Sequence, residues 1–203
     1  MFRLRTLVLV PLVIVAMSRV AGAAPILFTA TMDSAQENNP ANTSTASGFA
    51  TFELNDAQTA LTWTATVFGL DFTGSQTPAF AGDNLTVAHI HRAPRGTNGP
   101  VIWGFIGTPF NDNNPMDVVV TPFASGVGGT VSSKWDLPEG NNTTLAAELA
   151  NLLAGNTYIN FHTTQFGGGE VRGQIEQVPE PATLALLGIG VACLGLRRKT
   201  AGQ

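Results

Sequence analysis

The sequence predicts an all-β fold, an antiparallel β-sandwich with one short helix, and three observations carry that prediction. Apolar and polar residues alternate with a period of two in a series of short segments. Gly, Pro, Asn and Asp, the residues that tight turns demand, separate those segments. Within them β-branched and aromatic side chains are frequent, while a helical spacing of leucines occurs once.

The strands follow in order. Residues 26–32 open the series, and in 48–54 Ala50, Phe52 and Leu54 alternate with Thr51 and Glu53. Residues 60–70 are the clearest case. Leu61, Trp63, Ala65 and Val67 face one way and Thr62, Thr64 and Thr66 the other, which describes a half-buried antiparallel strand with a threonine-lined solvent face. Further strands are expected over 85–92, 101–106, 118–122, 130–137, 157–164 and 170–177, with turns at 113–115 and 126–129. The helix starts where Thr143 or Thr144 can cap it, carries an apolar stripe of Leu145, Leu149, Leu152 and Leu153, and stops at Gly155. Residues 33–47, rich in Asn, Thr and Ser, read as a loop. Eight or nine short strands and one helix suit a sandwich of immunoglobulin-like architecture. Trp63, Trp103 and Trp135 fall at strand positions and are assigned to its core rather than to a ligand-stacking platform.

Both ends of the chain carry addresses. Residues 1–23 read as a signal peptide: Arg3 and Arg5 precede an apolar run, and Ala21-Gly22-Ala23 supplies small residues for signal peptidase. At the other end Pro179-Glu180-Pro181 precedes an apolar run from Leu184 to Leu196, followed at once by Arg197-Arg198-Lys199. At ~1.5 Å per residue that run is about 20 Å long against a ~30 Å hydrocarbon core, a marginal transmembrane helix whose basic end stays cytoplasmic. The order of these parts closely resembles the PEP-CTERM sorting signal. That resemblance implies export across the inner membrane, transient anchoring by the C-terminal helix, and cleavage by an exosortase, with the cell surface or the medium as the destination. The chain thus divides into a signal peptide (1–23), one domain (24–178) and a sorting and anchoring segment (179–203).

Charge narrows the partners. The net charge of −4 understates the acidity of the domain, because most basic residues lie in the end segments. Residues 24–178 hold four basic side chains against thirteen Asp and Glu, a balance of −9 that repels phosphate backbones and argues against nucleic acid. The lone cysteine, Cys193, lies in the C-terminal run, so the domain has no disulfide, thiolate metal site or cysteine nucleophile.

All three histidines fall in two of the predicted strands. His89 and His91 are two apart and share a face, as do Asn160 and His162, and as do Glu170 and Arg172. The short link between 164 and 170 predicts a hairpin of the last two strands. If the three faces coincide, these six residues form one polar cluster.

The His89-Ile90-His91 stretch, the Gly96 to Gly99 loop, the run from Tyr158 to Thr163 and the close from Gly169 to Ile175 resemble the CHRD domain, over most of residues 26–177. Gly167-Gly168-Gly169 stands where members of that family commonly have a proline. The resemblance implies a β-sandwich and leaves the biochemical role open.

Three readings of the cluster compete. In the leading one, it is a hydrogen-bonded network, with Asn160 and Arg172 among its members, that ties strands together in a non-enzymatic domain. That domain would serve as a binding or structural module of the envelope or matrix, with an extracellular protein or polysaccharide as partner. In the second, His89, His91 and His162, with Glu170 as fourth ligand or orienter, hold zinc or copper, since neutral imidazoles suit both, in a protein of redox or hydrolytic use. The arrangement also resembles copper-zinc superoxide dismutase, but that enzyme's further histidines and disulfide are missing. The third reading, general base catalysis by Glu170 or a histidine, lacks an accompanying nucleophile motif.

Overall fold

The computed structural model describes residues 24–179 of the 203-residue chain. The signal segment 1–23, the apolar run 184–196 and the sorting residues Glu180, Pro181, Arg197, Arg198 and Lys199 lie outside the described residues.

Among the described residues ten strands form, in the order β1 (Ile26–Asp33), β2 (Ser47–Leu54), β3 (Ala60–Phe68), β4 (Leu85–Arg92), β5 (Val101–Ile106), β6 (Val119–Pro122), β7 (Gly128–Asp136), β8 (Thr157–Thr163), β9 (Val171–Gln174) and β10 (Glu176–Gln177). One helix, α1 (Leu145–Leu153), separates β7 from β8. The predicted segments all appear, but the last is divided. Ile175, buried in the core and still bonded through its N–H to the Thr157 carbonyl, stands between β9, which pairs with β8, and β10, which pairs with β1, so 170–177 is split in two. The loop over 33–47 contains one 3-10 turn, Ser34–Gln36, capped where Asp33 accepts from the Gln36 N–H.

The strands make one antiparallel sheet in the order β5-β4-β8-β9-β1-β2-β3-β7-β6, with β10 also on β1, where Phe28 lies opposite Gln177. This sheet curls into two layers, as the aromatic core demonstrates. Trp103 of β5 stacks on Trp135 of β7 (centroids 5.5 Å apart, 13° between planes), although the two strands lie near opposite ends of the sheet order. The bend falls at β1, which pairs along all eight residues with β2 but meets β9 only where Asp33 faces Arg172. Burying the inner faces of both halves together removes the apolar surface that a flat sheet would expose.

Within one layer β2 and β3 alternate as predicted: Leu61, Trp63, Ala65 and Val67 are buried, while Thr62 and Thr64 are exposed. The other layer differs. All seven residues of β8 are buried although every second one is polar. Its inner residues, Ile159 and Phe161, meet the core, and its outer residues, Tyr158, Asn160 and His162, are buried on the opposite face of the strand.

Helix α1 is capped by Thr144, whose side chain accepts from the Ala147 N–H, and it ends before Gly155 at φ +69°. Its apolar stripe needs one correction. Leu153 is exposed, and Glu148 is buried in its stead, with carboxylate oxygens bonded to Arg92, Thr143 and Asn151. A charged side chain can hold that position because its partners are supplied.

Candidate functional site

The site grows from the outer face of β4 and β8. Pairing places His89 opposite Asn160 and His91 opposite Tyr158, so cross-strand partners share the face that the period of two assigns to them. Register shifts near Val87, and again between Ala88 and His89 and between Ile90 and His91 on the β5 side, bend β4 locally. The three imidazoles gather here. Ring centroids are 5.6 Å apart for His89 and His91, 5.2 Å for His89 and His162, and 6.0 Å for His91 and His162. One ring nitrogen from each lies within 4.8 Å of the others.

Backbone carbonyls hold each ring in place. His89 Nε2 donates to Thr108 (3.2 Å), His91 Nδ1 to Gly99 (3.0 Å) and His162 Nδ1 to Gly167 (3.0 Å). A carbonyl only accepts, so the proton of each neutral ring sits on the bonded nitrogen, and the other nitrogen carries a lone pair. Those other nitrogens, His89 Nδ1, His91 Nε2 and His162 Nε2, are buried and no protein group bonds them. Burial lowers the pKa of all three histidines, with charge repulsion between the rings adding to it at His89 and His91, and both of these fall to about 4. The result is three neutral imidazoles, 4%, 8% and 6% exposed, that present their lone pairs to one another.

Glycines make room for this arrangement. A Cβ at Gly104, the residue opposite His89, would collide with the Pro109 carbonyl and approach His89 Cδ2 to 3.1 Å. Gly169, at φ +128°, lies against Glu37 and Asn160, where a side chain has neither space nor an unstrained backbone.

The remaining members of the predicted cluster lie elsewhere. Glu170 does not join the histidines: one carboxylate oxygen accepts from Ser44 and the other from Thr163. Arg172 is buried and stacks its guanidinium 3.4 Å above the Tyr158 ring, which stacks in turn on His91 (4.7 Å, 8°). Arg172 therefore reaches the histidines through Tyr158. Asn160 lies between the histidine group and Glu37, with its Oδ1 unpartnered. Pro179 is the one sorting residue among those described, and the last of them.

Sequence reasoning missed Glu37 and Tyr158. Tyr158 had a usable signal, being two residues from Asn160 and four from His162 on one strand face. Glu37 had none, because loop residues carry no period. Burial raises its carboxyl from 4.5 to about 7, against the lowering influence of Arg172 and Asn160. A carboxyl whose folded pKa is raised favours folding while it is protonated, and that benefit disappears as pH climbs from 4.5 through 7. Glu37→Gln should accordingly leave the thermal midpoint unchanged at pH 4 and raise it at pH 8. Equal midpoints at pH 8 would contradict the burial argument.

Comparison with known families places these residues in context. A family model for the CHRD domain matches residues 28–175, and one for the PEP-CTERM protein-sorting motif matches residues 177–199. No curated protein and no solved structure matches the chain.

Proposed function

The chain belongs to the CHRD domain family and ends in a PEP-CTERM protein-sorting motif, and on that premise we propose that its domain is an exported metal-binding module. The motif marks a protein that is exported and held transiently by its C-terminal segment before exosortase processing to the cell surface. The module would therefore meet its ion outside the cytoplasm.

One observation carries the metal reading: three buried ring nitrogens converge with lone pairs facing one another while their partner nitrogens are fixed by carbonyls. A purely structural network would have given those lone pairs a donor such as the Asn160 amide or the Arg172 guanidinium, since leaving buried polar atoms unpaired costs about 1–3 kcal/mol each. Three neutral imidazoles suit zinc or copper, and the carbonyls serve as the outer groups that orient metal-binding histidines. His89 through Nδ1, and His91 and His162 through Nε2, would be the ligands. Glu170 is left out because its oxygens are already engaged. The ion would supply positive charge and an acceptor position for a fourth ligand, and we assign it no reaction.

Elemental analysis of the purified protein tests this. We expect close to one equivalent of zinc or copper, lost in His162→Ala. Metal-free protein that takes up neither ion on incubation would overturn the proposal.

A further inference from the structure

Arg172 raises a separate question, because a buried cation calls for an anion. Its side chain is 1% exposed, yet no carboxylate among the described residues lies within ion-pair reach of it. Its two hydrogen bonds are long, 3.3 Å to Asn98 Oδ1 and 3.4 Å to the Pro94 carbonyl, which leaves most of its five donors unused. The Tyr158 ring covers one face of the guanidinium.

That side chain forms part of the wall of a cleft of about 310 Å³, shared with Gln36, Glu37, Arg95 and Gln174. The volume falls at the lower end of small-molecule sites. Arg95 stands at the rim, more than half exposed and paired with Glu176. Glu37 faces Arg172 across the cleft without pairing with it, and its Oε1 is buried and unpartnered.

We propose that this cleft binds a small organic carboxylate, held by the Arg172 guanidinium with Arg95 at the entrance. A planar fork of donors matches a carboxylate in two parallel bonds, and stacking on Tyr158 fixes the fork before the ligand arrives. Above pH 7, where Glu37 is ionised, it selects a singly charged ligand over a doubly charged one such as sulfate, because repulsion from its carboxylate grows with ligand charge. The acidic domain acts in the same direction. Gln174 offers its unpartnered Oε1 as an acceptor to a ligand hydroxyl, its Nε2 being bonded to the Ala93 and Gly155 carbonyls. This inference stands apart from the histidine centre and survives the loss of the metal proposal.

Calorimetric titration of the full chain in detergent with D-glucuronate, a hydroxylated monocarboxylate, tests it. We expect saturable binding, weakened about tenfold or more in Arg172→Lys, which keeps the charge and removes the fork. Should Arg172→Lys fail to fold, the rim variant Arg95→Ala reports instead with a several-fold loss. Glu37→Gln should tighten binding at pH 8, where the native side chain is ionised. No saturable glucuronate binding, binding indifferent to the arginine and Glu37 variants, or sulfate competing as well as glucuronate would each overturn the proposal.

Discussion

Zinc added to the metal-free protein is expected to raise its thermal midpoint by about 8–16 °C when free metal exceeds Kd a thousandfold. The size follows from linkage. A ligand that binds only the folded state at that excess contributes about 4 kcal/mol, and a chain of this length gains about 2–4 °C per kcal/mol. The folded state is the selective one because β4 and β8 bring His162 beside His89 and His91, residues that an unfolded chain does not hold together. His162→Ala should abolish the shift, read against the variant's own apo midpoint, which the loss of a buried ring lowers. Identical shifts in the two proteins would show that metal binds elsewhere.

Trp103→Ala should have the largest effect on folding, a loss of about 3–5 kcal/mol. Trp103 is fully buried and meets Trp135 face to face, Trp63 edge-on at 6.1 Å and Phe105 at 5.5 Å. It is therefore a bridge between the two layers of the curled sheet, and truncation opens a cavity that strands on both sides cannot collapse to fill. Leu27→Ala, at an exposed position of β1, provides the contrast and should change stability by about 0.5 kcal/mol or less. Denaturant midpoints for the two variants check the ranking, and comparable losses would mean that the layers are not joined through Trp103.

The strands were legible because their inner and outer residues alternate. In β3 Leu61, Trp63, Ala65 and Val67 obey the period of two without exception, and Thr144 and Gly155 mark the ends of α1 by their capping chemistry. Where the pattern misled, a buried polar group was satisfied by partners distant in sequence. Glu148 displaced Leu153 from the helix's inner face because Arg92 meets it from β4. The shared face of His89 and His91 could be read locally, but the arrival of His162 depends on which strand pairs with β4 and on a register shift, and neither leaves a mark in composition. Glu170 and Arg172, expected on one face, are both buried, yet hydroxyls from Ser44 and Thr163 claim Glu170 first. The loop from Asp33 to Ser47 proved the least legible part, and it supplies Glu37 and Ser44 to this polar layer.

The juxtaposition of Phe28 and Gln177 has a mechanical consequence. The Val178 N–H also donates to the Leu27 carbonyl at 2.8 Å, so the domain's first and last residues depart from a single pole. Tension applied between them would load the rungs joining β1 to β10 one after another instead of all at once, and the pair would unzip at low force. The same proximity would let a short linker close the chain into a ring, with new ends cut in the exposed Asp56–Thr59 turn.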